Sequence, residues 1–272
     1  MPLTPRPRPT QPGPVLLRNR RSGWPRAATP DSPCDATLRR QRHSLVVILT
    51  FVTGCADATG FLALGGAFSS VMTGNMVLLG LSAGTADTKL ATNSGLAIAS
   101  YIVGVLVGAH VAGVHAPHDS VWPRSVTRAL TLELIALLSL LVAWELTLSN
   151  RSPHIQLSLL MIAAAALGIQ SSAIQRFGVP GLSSTYLTGT LTVLIGGVAA
   201  RHPLRSLLPS AQVLSALVTG AAVGALVVVH LSWLSPILLV VPLASVVTLS
   251  TRLRRNEAGK EVDRHDRRAR PE

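Results

Sequence analysis

Between Leu45 and Thr251 the sequence falls into eight apolar segments with brief connections, at 45–64, 67–84, 90–115, 126–148, 155–176, 181–200, 207–231 and 234–251. An α-helix needs about 20 residues to cross the hydrocarbon layer; six segments are read as full spans, and 67–84 and 181–200, rich in Gly, Ser and Thr, as short helices. In lipid every backbone N–H and C=O must be satisfied within the protein, which leaves helices as the solution for segments of this length. The connections leave no room for a soluble domain. The expected fold is therefore an all-α, polytopic integral membrane bundle over residues 44–251, with six full spans plus two short helices, or eight spans. Only 13% of residues are charged, against about 25% in a soluble domain.

The charge is segregated. Residues 1–44 carry nine Arg against Asp31 and Asp35, and residues 252–272 carry eight Lys or Arg against five acids, so most of the +12 belongs to the ends. Basic tails beside spans act as topology signals and attract anionic lipid headgroups, so nucleic acid is not an expected partner. Residues 1–43, with Pro-Arg-Pro-Arg-Pro and no periodic apolar face, read as a disordered basic cytoplasmic arm, and 252–272 as a charged cytoplasmic tail. The apolar run from Leu45 is too long for a cleavable secretory signal, so the first helix is expected to stay attached. The expected location is the bacterial inner membrane, multi-pass, with both termini cytoplasmic. Self-association into a homo-oligomer is left open. Cys34 and Cys55 lie in different environments and form neither a disulfide framework nor a metal site.

The two short segments answer each other. Ser69-Ser70-Val71-Met72-Thr73-Gly74-Asn75 aligns with Ser184-Thr185-Tyr186-Leu187-Thr188-Gly189-Thr190 at an offset of 115, which also pairs Gly66 with Gly181 and His115 with His230. With one gap, Gly54-Cys55-Ala56-Asp57 matches Gly168-Ile169-Gln170-Ser171. The chain thus reads as two repeats, at about 44–148 and 155–251. If the short segments cross, the halves are parallel; if they dip in and return, each half crosses three times and the halves are inverted. Loop charge favours the second arrangement, with Arg124, Arg128, Arg176, Arg201 and Arg205 inside against Lys89 and Arg151 outside.

Asp57 stands in the second half of an otherwise apolar run. A charge near the bilayer centre costs roughly 3 kcal/mol or more, so an intramembrane acid is a functional candidate by default. Thr73, Gly74 and Asn75, with Thr188 and Gly189, offer hydroxyls, a carboxamide and close backbone approach; Gln170 and Ser171 stand opposite as a neutral polar pair. Small and hydroxyl residues also serve helix contacts in lipid, and Gly104-xxx-Gly108 and Gly220-xxx-Gly224 read as packing motifs. Glu133 and Glu145 lie near helix ends beside Arg128 and Arg151, where snorkelling and ion pairing account for them.

Gly54-x-x-Asp57-Ala58-x-Gly60-Phe61, then Phe68-x-x-x-x-Thr73-Gly74-Asn75, and later Gly168-x-Gln170 with Arg176 and Thr185-Tyr186-x-Thr188-Gly189-Thr190, resemble the YoaK-like family of bacterial membrane proteins, described only as a domain of unknown function. The likeness runs over about residues 42–252; that family usually carries Asn after the Gln of the second motif, where this chain has Ser171. The resemblance implies a polytopic inner-membrane protein with an internal repeat and brings no substrate.

No zinc-protease helix, nucleophile elbow or phosphate loop is present, so no enzyme, catalytic residue, metal or cofactor is expected. The expected function is a transporter or permease of a small solute, with Asp57 as candidate proton carrier. The alternative is a non-transporting scaffold or accessory protein. Transport requires the halves to pack as repeats, bringing the Asp57 and Gln170 regions and the two Thr-Gly motifs together near mid-membrane.

Overall fold

A computed structural model describes residues 33–113, 122–176 and 187–269 of the chain. Eight α-helices follow one another: α1 (Pro33–Ala63), α2 (Met72–Thr85), α3 (Thr88–Ala112), α4 (Arg124–Leu146), α5 (Pro153–Gln175), α6 (Leu187–Ala199), α7 (Leu204–His230) and α8 (Ser235–Ala269). The described residues contain no strand. Six helices contain stretches long and apolar enough to cross a membrane, Arg40–Ala63, Thr88–Ala112, Arg124–Leu146, Pro153–Gln175, Leu204–His230 and Ser232–Arg252. At 14 and 13 residues, α2 and α6 fall short of the about 20 a crossing needs. Six spans with two short helices is thus the arrangement found. Helix boundaries differ from the expected tails: α1 begins at Pro33, inside the stretch read as a disordered arm, and α8 continues to Ala269 through the charged tail.

Why α2 does not cross is visible in its approach. After α1 ends at Ala63 the chain turns through Gly65 and Gly66, both at positive φ, a conformation that costs glycine little. It then runs back along α1, where Ser69 Oγ donates to the Ala56 carbonyl at 3.2 Å. Ala56 lies seven residues before the end of α1, or about 10 Å of helix rise inside it. From that depth α2 returns: Asp87 caps the next helix through Leu90 N at 3.0 Å, and Asn93 of α3 donates to the Gly65 carbonyl at 2.8 Å. The start of α3 is therefore level with the end of α1. The segment 64–85 dips in and goes back out the same side.

The long helices form two equivalent pairs, α1 along α7 and α5 along α3, both running parallel. A Cβ on Gly54 would strike Leu217 and Ala221, and one on Gly168 would strike Tyr101 and Val105. Reciprocally, Gly220 faces Phe51 and Gly224 faces Cys55, while Gly104 faces Ala165 and Gly108 faces Ile169. Each of these glycine contacts in one pair has its counterpart in the other. The sequence repeat is a structural one, with glycine at each crossing because the backbones meet directly.

Around these pairs, α4 packs on α5 and α8 on α1, and α4 meets α8. Trp122 donates to Thr127 at 3.0 Å, and Thr127 is 3.3 Å from Ser250, which joins the start of α4 to the end of the α8 span. At the other face Trp144 Nε1 donates to the Ser232 carbonyl at 3.0 Å, and the Arg151 guanidinium lies 3.7 Å over the Trp144 ring. Partial burial lowers the Arg151 pKa while the charge of Glu145 pushes it back up. His43 and Gln212 pair at 2.9 Å, so α7 starts on the face where α1 starts. Both ends of the membrane domain thus lie on one face, and α1 and α5 run in opposite directions. The repeat is inverted.

Candidate functional site

Asp57 is 5% exposed and turned toward the dipping loop rather than toward α5. Its Oδ1 accepts from Ser70 N at 2.7 Å and its Oδ2 from Ser70 Oγ at 2.6 Å. Asn75 performs the matching task one turn into α2: Oδ1 accepts from Phe68 N at 2.8 Å and Nδ2 donates to the Phe68 carbonyl at 2.7 Å. Phe68 in turn stacks on Phe61 with ring centroids 5.0 Å apart, and the loop presses on Gly60, where a Cβ would meet Ser69 and Ala67. The ordered motif from Gly54 to Asn75 is therefore a set of parts for one re-entrant hairpin. The loop has few carbonyl and N–H partners of its own, and in lipid those groups must be met by side chains.

Gln170 and Ser171, in the corresponding stretch of the second half, look elsewhere. Ser171 accepts from the Tyr101 hydroxyl at 2.7 Å, and Ser172 donates to the Val105 carbonyl at 2.8 Å, both on α3. Gln170 bridges three helices: Thr53 Oγ1 of α1 donates to its Oε1 at 2.9 Å and its Nε2 donates to Glu133 Oε1 of α4 at 3.1 Å. No hydrogen bond joins Asp57 to Gln170 among the described residues; Gln170 reaches α1 at Thr53, one turn before Asp57.

Glu133 is a correction to the sequence reading. It is 0% exposed, bonded to Gln170, and its Oε2 has no hydrogen-bond partner. Snorkelling to a helix end does not account for a carboxyl held in this way. The sequence signal that could have found it is spacing: Glu133 stands nine residues inside α4, about 13 Å from its start.

Thr73 and Thr188, one from each Thr-Gly motif, line a common cleft. A cleft of about 460 Å³ is lined by Ser70, Thr73, Tyr101, Gln175, Thr188 and Leu217, together with apolar neighbours including Met72 and Leu187. Thr73 answers to Thr188 and Met72 to Leu187 in the sequence repeat, and Tyr101 and Leu217 face the equivalent glycines Gly168 and Gly54, so the cleft lies between the halves. Gly74 packs against Phe68, where a Cβ would come within 3.2 Å of the ring, whereas Gly189 has no such neighbour. Ser184, Thr185 and Tyr186, along with Gly181 and His115, lie outside the described residues. Among the described residues no three His, Cys, Asp or Glu side chains come together as a metal site.

Six spans, two short re-entrant helices and an inverted repeat with a polar cleft between its halves define a polytopic helical membrane protein. The chain belongs to the family of proteins of unknown function DUF1275, whose model matches residues 45–250. It is similar to the UPF0700 transmembrane protein YoaK of Bacillus subtilis (strain 168), at 34% identity over 165 residues, 61% of this chain and 71% of that protein. No solved structure matches.

Proposed function

We propose that the protein is a carrier for a small, uncharged, hydrogen-bonding solute, bound in the cleft between its halves. The observation that carries this reading is the shared cleft of Thr73 and Thr188 between the halves of an inverted repeat, the place where carriers built from such repeats hold their ligands. Among the described lining residues none is Asp, Glu, Lys, Arg or His. A charged ligand would be desolvated there without a counter-charge. Asp57 acts on the cleft through Ser70, which it holds by two hydrogen bonds and which lines the wall; a proton exchanged at Asp57 would loosen that wall. In this reading the protein is not an enzyme. The basic ends support a cytoplasmic position for both termini in a bacterial cell, beside anionic headgroups.

Purified protein in lipid vesicles, challenged with a panel of neutral, anionic and cationic small solutes, tests the reading. The expected outcome is flux of a neutral polar solute, reduced at least tenfold by Thr73→Val with Thr188→Val and lost in Asp57→Asn. Flux unchanged by the threonine pair would remove the cleft, and unchanged flux in Asp57→Asn would remove Asp57. A scaffold is the second reading, favoured by the hydrogen bonds that Asp57 and Asn75 spend on their own loop. It predicts no flux of any solute.

A further inference from the structure

Glu133 stands apart from the cleft and from the hairpin, and neither uses it. It is a wholly buried carboxyl group with one oxygen bonded to Gln170 Nε2 at 3.1 Å and the other without a partner. The helices packed on α4 are α3, α5 and α8. Lys89 and His110 of α3, His154 of α5 and Arg252 of α8 lie toward the helix or span ends, as do Arg124, Arg128 and Glu145 on α4 itself, and Tyr101 in the middle of α3 gives its hydroxyl proton to Ser171. No ion pair joins any of them to Glu133 among the described residues, and its hydrogen bond is to a neutral carboxamide. A carboxyl group in that setting has room for one proton on Oε2, and a buried charge without a counter-charge is what such a proton relieves.

The partner makes the site a relay. A carboxamide has a donor end and an acceptor end, and its direction follows what its neighbours offer. With Glu133 accepting, Gln170 turns Nε2 to it and receives Thr53 Oγ1 at Oε1, 2.9 Å away. With a proton on Glu133, a half-turn of the carboxyl group about its Cγ–Cδ bond brings the protonated oxygen to Gln170 as a donor, and the arrangement that meets it turns Gln170 Oε1 to Glu133 and Nε2 to Thr53. Thr53 then accepts from Gln170 and gives its own proton to the Leu49 carbonyl, already 3.0 Å away. Each state satisfies Gln170 and Thr53.

We propose that Glu133 is a proton-binding site of this protein, and that its occupancy is passed from α4 to α1 by reversal of the Gln170 carboxamide and the Thr53 hydroxyl. No bond other than those to hydrogen changes: the proton comes from water, rests on Glu133 and returns to water. Thr53 lies beside Gly54, where α1 crosses α7, and one turn from Asp57, so the signal arrives where the two halves meet. The inference does not rest on solute transport.

Infrared difference spectroscopy of the full-length protein in lipid vesicles during a pH step tests it. The expected result is a carboxylic-acid carbonyl band that shifts in heavy water, is lost in Glu133→Gln, and persists in Asp57→Asn. Glu133→Gln keeps an acceptor for Gln170, so the fold should survive. Thr53→Val provides the second arm, because it keeps the shape of the side chain but removes the hydroxyl; the band should remain and its pH midpoint should move. A band unaltered by Glu133→Gln, or no such band in the wild type, overturns the site. An unmoved midpoint in Thr53→Val overturns the relay. Absence of solute flux would sink the carrier reading and leave both of these results standing.

Discussion

Asn75 holds Phe68 by both ends of its carboxamide, so one side chain satisfies a backbone donor and a backbone acceptor in a loop that has no helix to do so. Asn75→Ala leaves both groups unpaired at about 1–3 kcal/mol each, so a loss of about 2–6 kcal/mol is expected. Thermal unfolding of the protein in detergent checks this, with Thr73→Val as the comparison expected to be neutral, since Thr73 is exposed on the cleft. A neutral Asn75→Ala would show that water, not Asn75, serves the loop. At this scale the sequence is legible in part. Asp57, Asn75 and the threonines stand out because polar groups are costly in an apolar run, but cost alone does not say what they bond. Asp57 was one spacing away from two partners, the loop and Gln170, and only the turn at Gly65–Gly66 decides for Ser70. Glu133 reads in the sequence as an interfacial acid because Arg128 lies five residues away and suggests a pair. The depth of a residue in a bundle depends on which neighbours cover it, and α5 covers Glu133.

The crossings of α1 with α7 and of α5 with α3 rest on glycine pairs with no space for a Cβ. Gly220→Leu and Gly104→Leu should each force a helix pair apart, at no less than the about 1–3 kcal/mol of ordinary core overpacking. Because the two crossings are equivalent, their losses should be similar, while Gly80→Leu, with nothing within 4 Å of its Cβ position, should leave stability unchanged. Melting curves of the three variants decide it: a harmless Gly220→Leu beside a disruptive Gly104→Leu would break the equivalence. These pairs could be read from the sequence because GxxxG spacing survives as a pattern at matching places in the two halves. Which helix each glycine faces could not. The same spacing serves a neighbour in sequence or a distant one, and the pairing of α1 with α7 instead of α2 follows from α2 being a re-entrant stub.

For the whole molecule, the number of crossings and the sense of the repeat are one question. Eight spans would place the α2–α3 turn at Ala86–Asp87 and the α6–α7 turn at Arg201–His202 on the same side of the membrane; six spans with two dips place them on opposite sides. Loop charge already leaned to six in the sequence, since the Arg count is lopsided, and in the structure the 14 and 13 residues of α2 and α6 do not span. Neither feature fixes where a short helix turns, and that information lies in contacts distant in sequence, such as Asn93 with Gly65. Single cysteines at Asp87 and His202, placed in a chain with Cys34 and Cys55 replaced by serine, should separate the two arrangements with a membrane-impermeant thiol reagent on intact cells. Asp87→Cys should label from outside together with a cysteine at Asn150, and His202→Cys should label only after the cells are opened, together with one at Arg124. If Asp87→Cys and His202→Cys label on the same side, the halves are parallel, the cleft of Thr73 and Thr188 no longer sits between inverted halves, and the carrier reading loses the symmetry that supports it.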